Sequence, residues 1–147
     1  MTTSTNGILC YGFIINEDVE LPWKTDDYDN DFDNWYYTEV VPFKEPFEIT
    51  LDTDSKIRQE YFSLYYDFKQ KNPAPFELVN YCSCDYPMFI LAVARIKASR
   101  GDPTVINPLE LTEYSKEDTK DLKEFAVKYN LIDETDSPSW WLCSYWG

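Results

Sequence analysis

Residues 8–15 read Ile-Leu-Cys-Tyr-Gly-Phe-Ile-Ile, and this apolar run decides the class of fold. Its β-branched and aromatic side chains predict a buried, central β-strand. A glycine within a strand has no side chain to pack, so Gly12 predicts a bulge or the close approach of another backbone. We therefore expect the fold to be built around a sheet that begins near the amino terminus.

Four later segments also have the character of strands. Residues 47–51 alternate apolar and polar side chains, and residues 76–82 and 88–94 are apolar runs separated by a turn. Residues 139–147 are apolar on both faces and contain three of the five tryptophans. The sequence thus predicts about five strands, with residues 95–102 as a polar loop.

Two segments carry apolar side chains at helical spacing. The first follows possible N-caps at residues 52–55, stops at Asn72-Pro73, and has a predicted buried face formed by Ile57, Tyr61, Leu64, Tyr65 and Phe68. The second follows a possible capping box of Ser115 and Asp118 and has a predicted buried face formed by Leu122, Phe125, Ala126 and Tyr129. The order of elements predicts an α+β fold: a mainly antiparallel sheet of about five strands, with two helices packed on one face.

Length and charge suggest a single acidic domain. The chain has 147 residues and a formal net charge of −14, and residues 1–54 contain 13 acidic side chains against Lys24 and Lys44. Residues 16–46 show no periodicity and predict a long acidic loop. The longest apolar runs are too short to cross a bilayer, and no basic residue precedes the first of them. We expect a cytoplasmic protein without a membrane partner.

The residue types present exclude several kinds of chemistry. The chain has no histidine, which is the commonest general base and metal ligand, so nucleophiles paired with histidine are excluded. Its four glycines cannot form a glycine-rich dinucleotide-binding loop. The spacing of the four cysteines does not fit two zinc-binding pairs, so we expect buried free thiols. We predict no catalytic residues, no metal centre and no cofactor.

The aspartates between residues 26 and 33 are the strongest local feature. In an extended chain, alternate aspartates would lie on one side about 7 Å apart. That charge density is similar to one strand of DNA, so the segment could mimic a nucleic acid. Neighbouring aromatic rings would supply the anchors that protein interfaces favour. The predicted partner-binding residues are Asp26, Asp27, Asp29, Asp31, Asp33, Trp35, Tyr36, Tyr37 and Glu39.

Three functions are compatible with these observations. The first is an acidic interaction module that binds and blocks a basic, nucleic-acid-binding protein such as a nuclease, as inhibitors and immunity proteins do, without binding nucleic acid itself. The second is a calcium-dependent or small-ligand-binding domain that uses the aspartates of residues 26–33. Asp29, Asp31 and Asp33 have the spacing of the first EF-hand ligands, but Asn34 occupies the position of the required glycine. The third is a carboxylate-based enzyme, although nothing selects two of the 27 acidic residues.

Overall fold

A computed structural model describes residues 5–24, 31–116 and 119–147. In chain order the elements are β1 (Thr5–Ile14), α1 (Phe32–Trp35), a π-helical turn (Tyr36–Val40), α2 (Ser55–Lys71), β2 (Glu77–Ser83), β3 (Pro87–Ser99), α3 (Pro108–Tyr114), α4 (Lys120–Lys128) and β4 (Ser139–Trp146). The described residues therefore form a mixed α+β structure with four strands and four α-helices, where the sequence predicts five strands and two helices.

The chain divides into two compact units. Residues 1–21 and 75–147 form the first, which we call the sheet unit, and residues 22–74 form the second, which we call the helical unit. Within the described ranges, no helix is both long enough and apolar enough to cross a membrane. The prediction that the whole chain behaves as one domain stays a prediction.

The four strands of the sheet unit form a closed sheet in the order β1-β3-β2-β4. The β1-β3, β1-β4 and β2-β3 pairs are antiparallel. β2 and β4 are parallel and pair only at Cys82 with Tyr145 and at Ser83 with Trp146. We call this short parallel contact the seam, because it closes the sheet.

The interior of the closed sheet is filled by alternate side chains of the strands. Successive side chains in a strand point to opposite faces, so every second residue enters the interior. Trp141, Cys143 and Tyr145 of β4 follow this pattern and pack against the buried core. The fully buried members of that core are Ile8, Cys10, Val79, Ile90 and Ala92.

Gly12 lies at a bulge between β1 and β3, which confirms the prediction for this residue. The pairing register shifts between Tyr11 and Gly12, and a Cβ atom on Gly12 would lie 1.9 Å from the backbone oxygen of Leu91. The indole Nε1 of Trp141 donates a hydrogen bond of 3.0 Å to the carbonyl of Gly12. Only glycine allows these two backbones to approach so closely.

Both helices of the sheet unit pack through aromatic contacts or hydrogen bonds to neighbouring segments. The Tyr11 hydroxyl of β1 donates to the backbone oxygen of Ser115, at the end of α3, over 3.4 Å. The ring of Phe125 in α4 lies 4.6 Å from that of Phe76, directly before β2. The predicted helix is thus confirmed as α4, but it begins at Lys120, and Ser115 ends α3 instead of capping α4.

Three predictions of local structure are wrong. Residues 47–51 form no strand, because Phe47 packs on Tyr61 of α2, with 5.9 Å between the ring centroids. β3 continues through most of the predicted 95–102 loop, where Arg95 pairs with Cys10 of β1 and its side chain lies 3.2 Å from the Glu77 carboxylate. Residues 32–40, predicted to be part of a loop, are helical.

Helix α2 confirms the other helix prediction. It begins after the N-cap residue Asp54, whose carboxylate accepts a hydrogen bond of 2.8 Å from the backbone N–H of Lys56. It ends before Asn72, and Pro73 cannot continue it because proline lacks a backbone N–H. Of its predicted buried residues, Tyr61, Tyr65 and Phe68 face an aromatic cluster, whereas Ile57 and Leu64 are exposed.

Candidate protein-interaction surface

An aromatic cluster forms the core of the helical unit. Trp23 is only 1% exposed, and its ring centroid lies 5.1 Å from that of Phe32 in α1. Tyr37 lies 6.0 Å from Phe68 of α2, and its hydroxyl donates a hydrogen bond of 3.0 Å to the backbone oxygen of Asn72. Buried rings of this size contribute large apolar contact areas. The cluster therefore fixes α1 and the π-helical turn against α2.

Two of the predicted aromatic contact residues belong to this core. Tyr36 is 5% exposed and Tyr37 is 7% exposed, while Trp35 is half-buried with its ring 5.4 Å from Trp23. Burial raises the pKa of both tyrosines, and the Asp33 carboxylate raises the pKa of Tyr37 further. In this structure their side chains serve in packing. Whether Trp35, Tyr36 or Tyr37 contacts a partner stays a prediction.

Asp31 and Asp33 lie at the start of α1 and not in an extended chain. Asp31 is the N-cap residue, its backbone oxygen accepts a hydrogen bond of 3.1 Å from the Trp35 N–H, and Asp33 is in the first turn. Negative side chains are favourable there because they face the positive end of the helix dipole. The extended spacing predicted for alternate aspartates is therefore wrong at these two positions.

The other predicted acidic residues are not all placed. Asp26, Asp27 and Asp29 lie outside the described residues. Glu39 is exposed on the π-helical turn. The calcium-binding alternative depends on Asp29 together with Asp31 and Asp33, so it also stays a prediction.

Asp33 is exposed and is joined to α2 by an ion pair. Its Oδ2 lies 3.3 Å from the Lys69 Nζ, and the Asp33 side chain is 73% exposed. The same Nζ lies 5.0 Å from the centroid of the Tyr65 ring. The Lys69 side chain is only 28% exposed, so water has access mainly to the Asp33 carboxylate. A cation from another protein can therefore approach Asp33 from the solvent.

Helix α2 exposes two aromatic side chains beside this ion pair. Phe62 is 55% exposed and Tyr66 is 60% exposed. Residues three and four apart are neighbours on a helix, so Phe62, Tyr66 and Lys69 follow one another along one side of α2. Asp33 is joined to this side by its ion pair with Lys69, and Asp31 precedes it by two residues at the start of α1. We call the following set the acidic aromatic surface: Asp31, Asp33, Phe62, Tyr66 and Lys69.

Phe62 and Tyr66 are not among the partner-binding residues predicted from the sequence. The predicted buried face of the helix passes through Tyr61, Tyr65 and Phe68, and the two missed residues lie outside it. The signal was nevertheless present, because large aromatic residues outside the buried face of a helix must be exposed unless another element covers them.

The cysteines do not form a metal site within the described parts of the chain. Cys10 is buried and Cys143 is half-buried, but Cys82 and Cys84 are exposed, so the prediction of four buried thiols is wrong for those two. Among the described residues, no three cysteine, aspartate or glutamate side chains are close enough together to hold a metal ion.

The chain matches no family model, no curated protein and no solved structure. Its own features define it as an α+β protein with a closed four-stranded sheet and an acidic aromatic surface on its helical unit.

Proposed function

We propose that this chain is an acidic protein-interaction module that binds and blocks a basic, nucleic-acid-binding protein, in the manner of an inhibitor or an immunity protein. The main support is one observation: α2 exposes Phe62 and Tyr66 on the side of the helix that also carries Lys69, which forms an ion pair with Asp33. Aromatic side chains bordered by charge are the usual energetic centres of protein interfaces. The net charge of −14 favours association with a basic protein.

Binding begins with electrostatic steering. The acidic residues of the first third of the chain, including the predicted contacts Asp26, Asp27 and Asp29, attract a basic surface and repel nucleic acid. Steering of this kind accelerates association about 10- to 1000-fold at low ionic strength, and added salt removes the effect. The aspartates thus control how fast the complex forms.

Docking then depends on the aromatic residues. An arginine of the partner takes the place of Lys69 at Asp33, where a guanidinium can form two parallel hydrogen bonds with the carboxylate. Phe62 and Tyr66 are removed from water by the apolar stems of the partner's basic side chains, and their rings attract the cationic groups. The aromatic pair thus controls how long the complex lasts.

The partner is a nuclease or another protein that binds nucleic acid, and inhibition is steric and electrostatic. The acidic surface covers the basic site where the nucleic acid would bind, and the chain itself makes no contact with nucleic acid. We place the protein in the cytoplasm, where such partners act and where exposed thiols such as Cys82 and Cys84 remain reduced.

The experiment has two stages. The tagged chain is used at low salt to capture its partner from the source cells, and the captured protein is identified and purified. Association and dissociation rates are then measured by stopped flow for the wild type, for a variant with Phe62→Ser and Tyr66→Ser, and for a charge variant. The charge variant replaces four aspartates by asparagine: Asp27, Asp29, Asp31 and Asp33.

We expect the charge variant to associate more slowly and the aromatic variant to dissociate faster. The matched control removes four exposed acids of α3 and α4 by Glu→Gln or Asp→Asn exchange: Glu110, Glu113, Asp121 and Glu124. It has the same net charge as the charge variant and should associate nearly as fast as the wild type. Equal association rates for the charge variant and the wild type, or a captured protein that still binds nucleic acid in the complex, would show that the proposal is wrong.

A further inference from the structure

A cavity of about 500 Å³, open to solvent, lies beside α4 in the sheet unit. One side of the helix lines it with residues three and four positions apart: Lys120, Lys123, Glu124, Val127 and Lys128. Glu134 lines it from the segment that follows the helix. Sites that bind small molecules usually have volumes of about 300 to 1,000 Å³, so this cavity is large enough for one.

The way in which α4 ends positions the opposite wall of the cavity. Asn130 has a φ of 57°, in the left-handed region that asparagine tolerates better than most residues. Its N–H donates a hydrogen bond of 3.0 Å to the Val127 carbonyl. The Leu131 N–H donates one of 2.8 Å to the Ala126 carbonyl. The two bonds form a Schellman motif, and the fully buried Leu131 anchors the chain as it leaves the helix.

A tight turn then holds the segment that carries Glu134. The Asp133 N–H donates a hydrogen bond of 2.8 Å to the Asp136 carboxylate, and the Asp136 N–H donates one of 3.0 Å to the Asp133 carbonyl. A segment that is already held by such bonds loses little further conformational freedom when a ligand binds. Both walls of the cavity are therefore formed before a ligand enters it.

The lining has a charge opposite to that of the chain. Its three lysines and two glutamates give a local charge of +1, whereas the chain has a net charge of −14. Lys123 is half-buried, yet within the described ranges it forms no ion pair with a carboxylate. Lys128 is exposed, and its Nζ lies 5.4 Å from the centroid of the Tyr129 ring. An anion that enters the cavity therefore meets the Lys123 ammonium group without displacing a carboxylate.

Val127 gives the cavity an apolar wall next to this charge. Residues four apart are neighbours on a helix, so Val127 lies one turn from Lys123 on the side that lines the cavity. A lysine keeps its ammonium group in water while its hydrocarbon stem covers apolar surface, so the Lys123 stem extends this wall. A ligand that matches these features has an anionic group and a short hydrocarbon body.

We propose that this cavity binds small aliphatic carboxylates. The carboxylate accepts a hydrogen bond from the Lys123 ammonium group, the hydrocarbon chain covers Val127, and Lys128 adds positive charge at the rim. Glu124 and Glu134 repel a second negative charge, so the ligand carries a single carboxylate. The site belongs to the sheet unit and does not depend on the interface proposed for the helical unit.

The test titrates the isotope-labelled chain with octanoate and follows the backbone amides by nuclear magnetic resonance. Octanoate should cause saturable shifts that are centred on residues 120–134. Octylammonium has the same hydrocarbon chain with the opposite charge, and acetate has the carboxylate without the long chain. Neither should shift these amides at the concentrations at which octanoate saturates them.

Two variants with the same net charge complete the test. Lys123→Gln removes a charge-assisted hydrogen bond and should weaken octanoate binding about tenfold, while glutamine keeps the helix propensity of lysine. Lys56→Gln, at an exposed position of α2, should bind octanoate like the wild type. Absence of saturable shifts at residues 120–134, equal binding of octylammonium, or equal octanoate affinity of the two variants would overturn the site.

Discussion

Replacement of Gly12 by alanine tests the closed sheet most severely. The added Cβ atom would lie 1.9 Å from the backbone oxygen of Leu91 and 2.9 Å from the Cα atom of Ala92. Both atoms belong to the backbone of β3, so no side-chain rotation can relieve the contact. β1 and β3 would have to separate where Ile8, Cys10 and Ile90 pack between the strands.

The expected loss of stability follows from this geometry. Adding a carbon atom to a well-packed core costs about 1 to 3 kcal/mol. We expect a cost at the upper end of this range for Gly12→Ala, because separation of the strands also disturbs the hydrogen bond from Trp141 to the Gly12 carbonyl. For a chain of this length each kcal/mol lowers the melting temperature by about 2 to 4 °C. A loss of about 3 kcal/mol therefore corresponds to a fall of about 6 to 12 °C.

The assay is thermal unfolding monitored by circular dichroism, with Gly7→Ala as the matched control. Gly7 lies on the same strand, and a Cβ atom there would have no heavy atom within 4 Å. Alanine is better than glycine within a strand by about 0.5 to 1 kcal/mol, so this control should melt at or above the wild-type temperature. If Gly12→Ala and Gly7→Ala melt at the same temperature, the close contact between β1 and β3 is refuted.

Two further predictions concern the helical unit. Asp54→Ala removes the N-cap hydrogen bond from the Lys56 amide and should lower the free energy of unfolding, measured in urea, by about 1 kcal/mol. Asp54→Asn should keep most of the wild-type stability, because asparagine is also a good N-cap residue. Equal losses of stability in the two variants would show that Asp54 does not cap the helix. Burial raises the pKa values of Tyr36, Tyr37 and Tyr65 in the folded protein. Their protonated hydroxyls therefore contribute their full stability below the ordinary tyrosine pKa of about 10. This contribution is lost as the pH rises through the raised pKa values of the folded state. The ultraviolet absorbance of tyrosinate should rise in two phases, the second together with loss of helical circular dichroism, and a single phase without unfolding would contradict this.

The sequence predicts elements whose own pattern is sufficient to define them. The apolar run of β1 indicates burial on both faces, and the three- and four-residue steps around Tyr61 and Tyr65 define α2 with its cap and its stop. The alternation of apolar and polar residues in 47–51 also predicts a strand, and that prediction is wrong. Phe47 packs against Tyr61 of α2, and Leu51 is almost fully exposed. The pattern of a short segment does not reveal which element packs against it. Residues 47–51 pack against a helix and not against another strand, so no strand forms.

The candidate surface is predictable only in its charge. The aspartates indicate an acidic surface directly, because charged side chains remain exposed in almost all proteins. Which aromatic residues accompany them depends on ring packing around Trp23 and Phe32, which buries Tyr36 and Tyr37 and leaves Phe62 exposed. Such packing involves residues far apart in the chain, and no spacing in the sequence records it.

The association rate with the purified partner is the most direct test of the proposed function. At low salt, asparagine at positions 27, 29, 31 and 33 should reduce the rate about tenfold or more relative to the wild type, because steering charge is lost at the contact itself. Removal of the four acids from α3 and α4 should have a much smaller effect, and the difference between the two variants should disappear at high salt. If both variants associate at the same rate at low salt, only the total charge of the chain matters, and these four aspartates are not at the binding site.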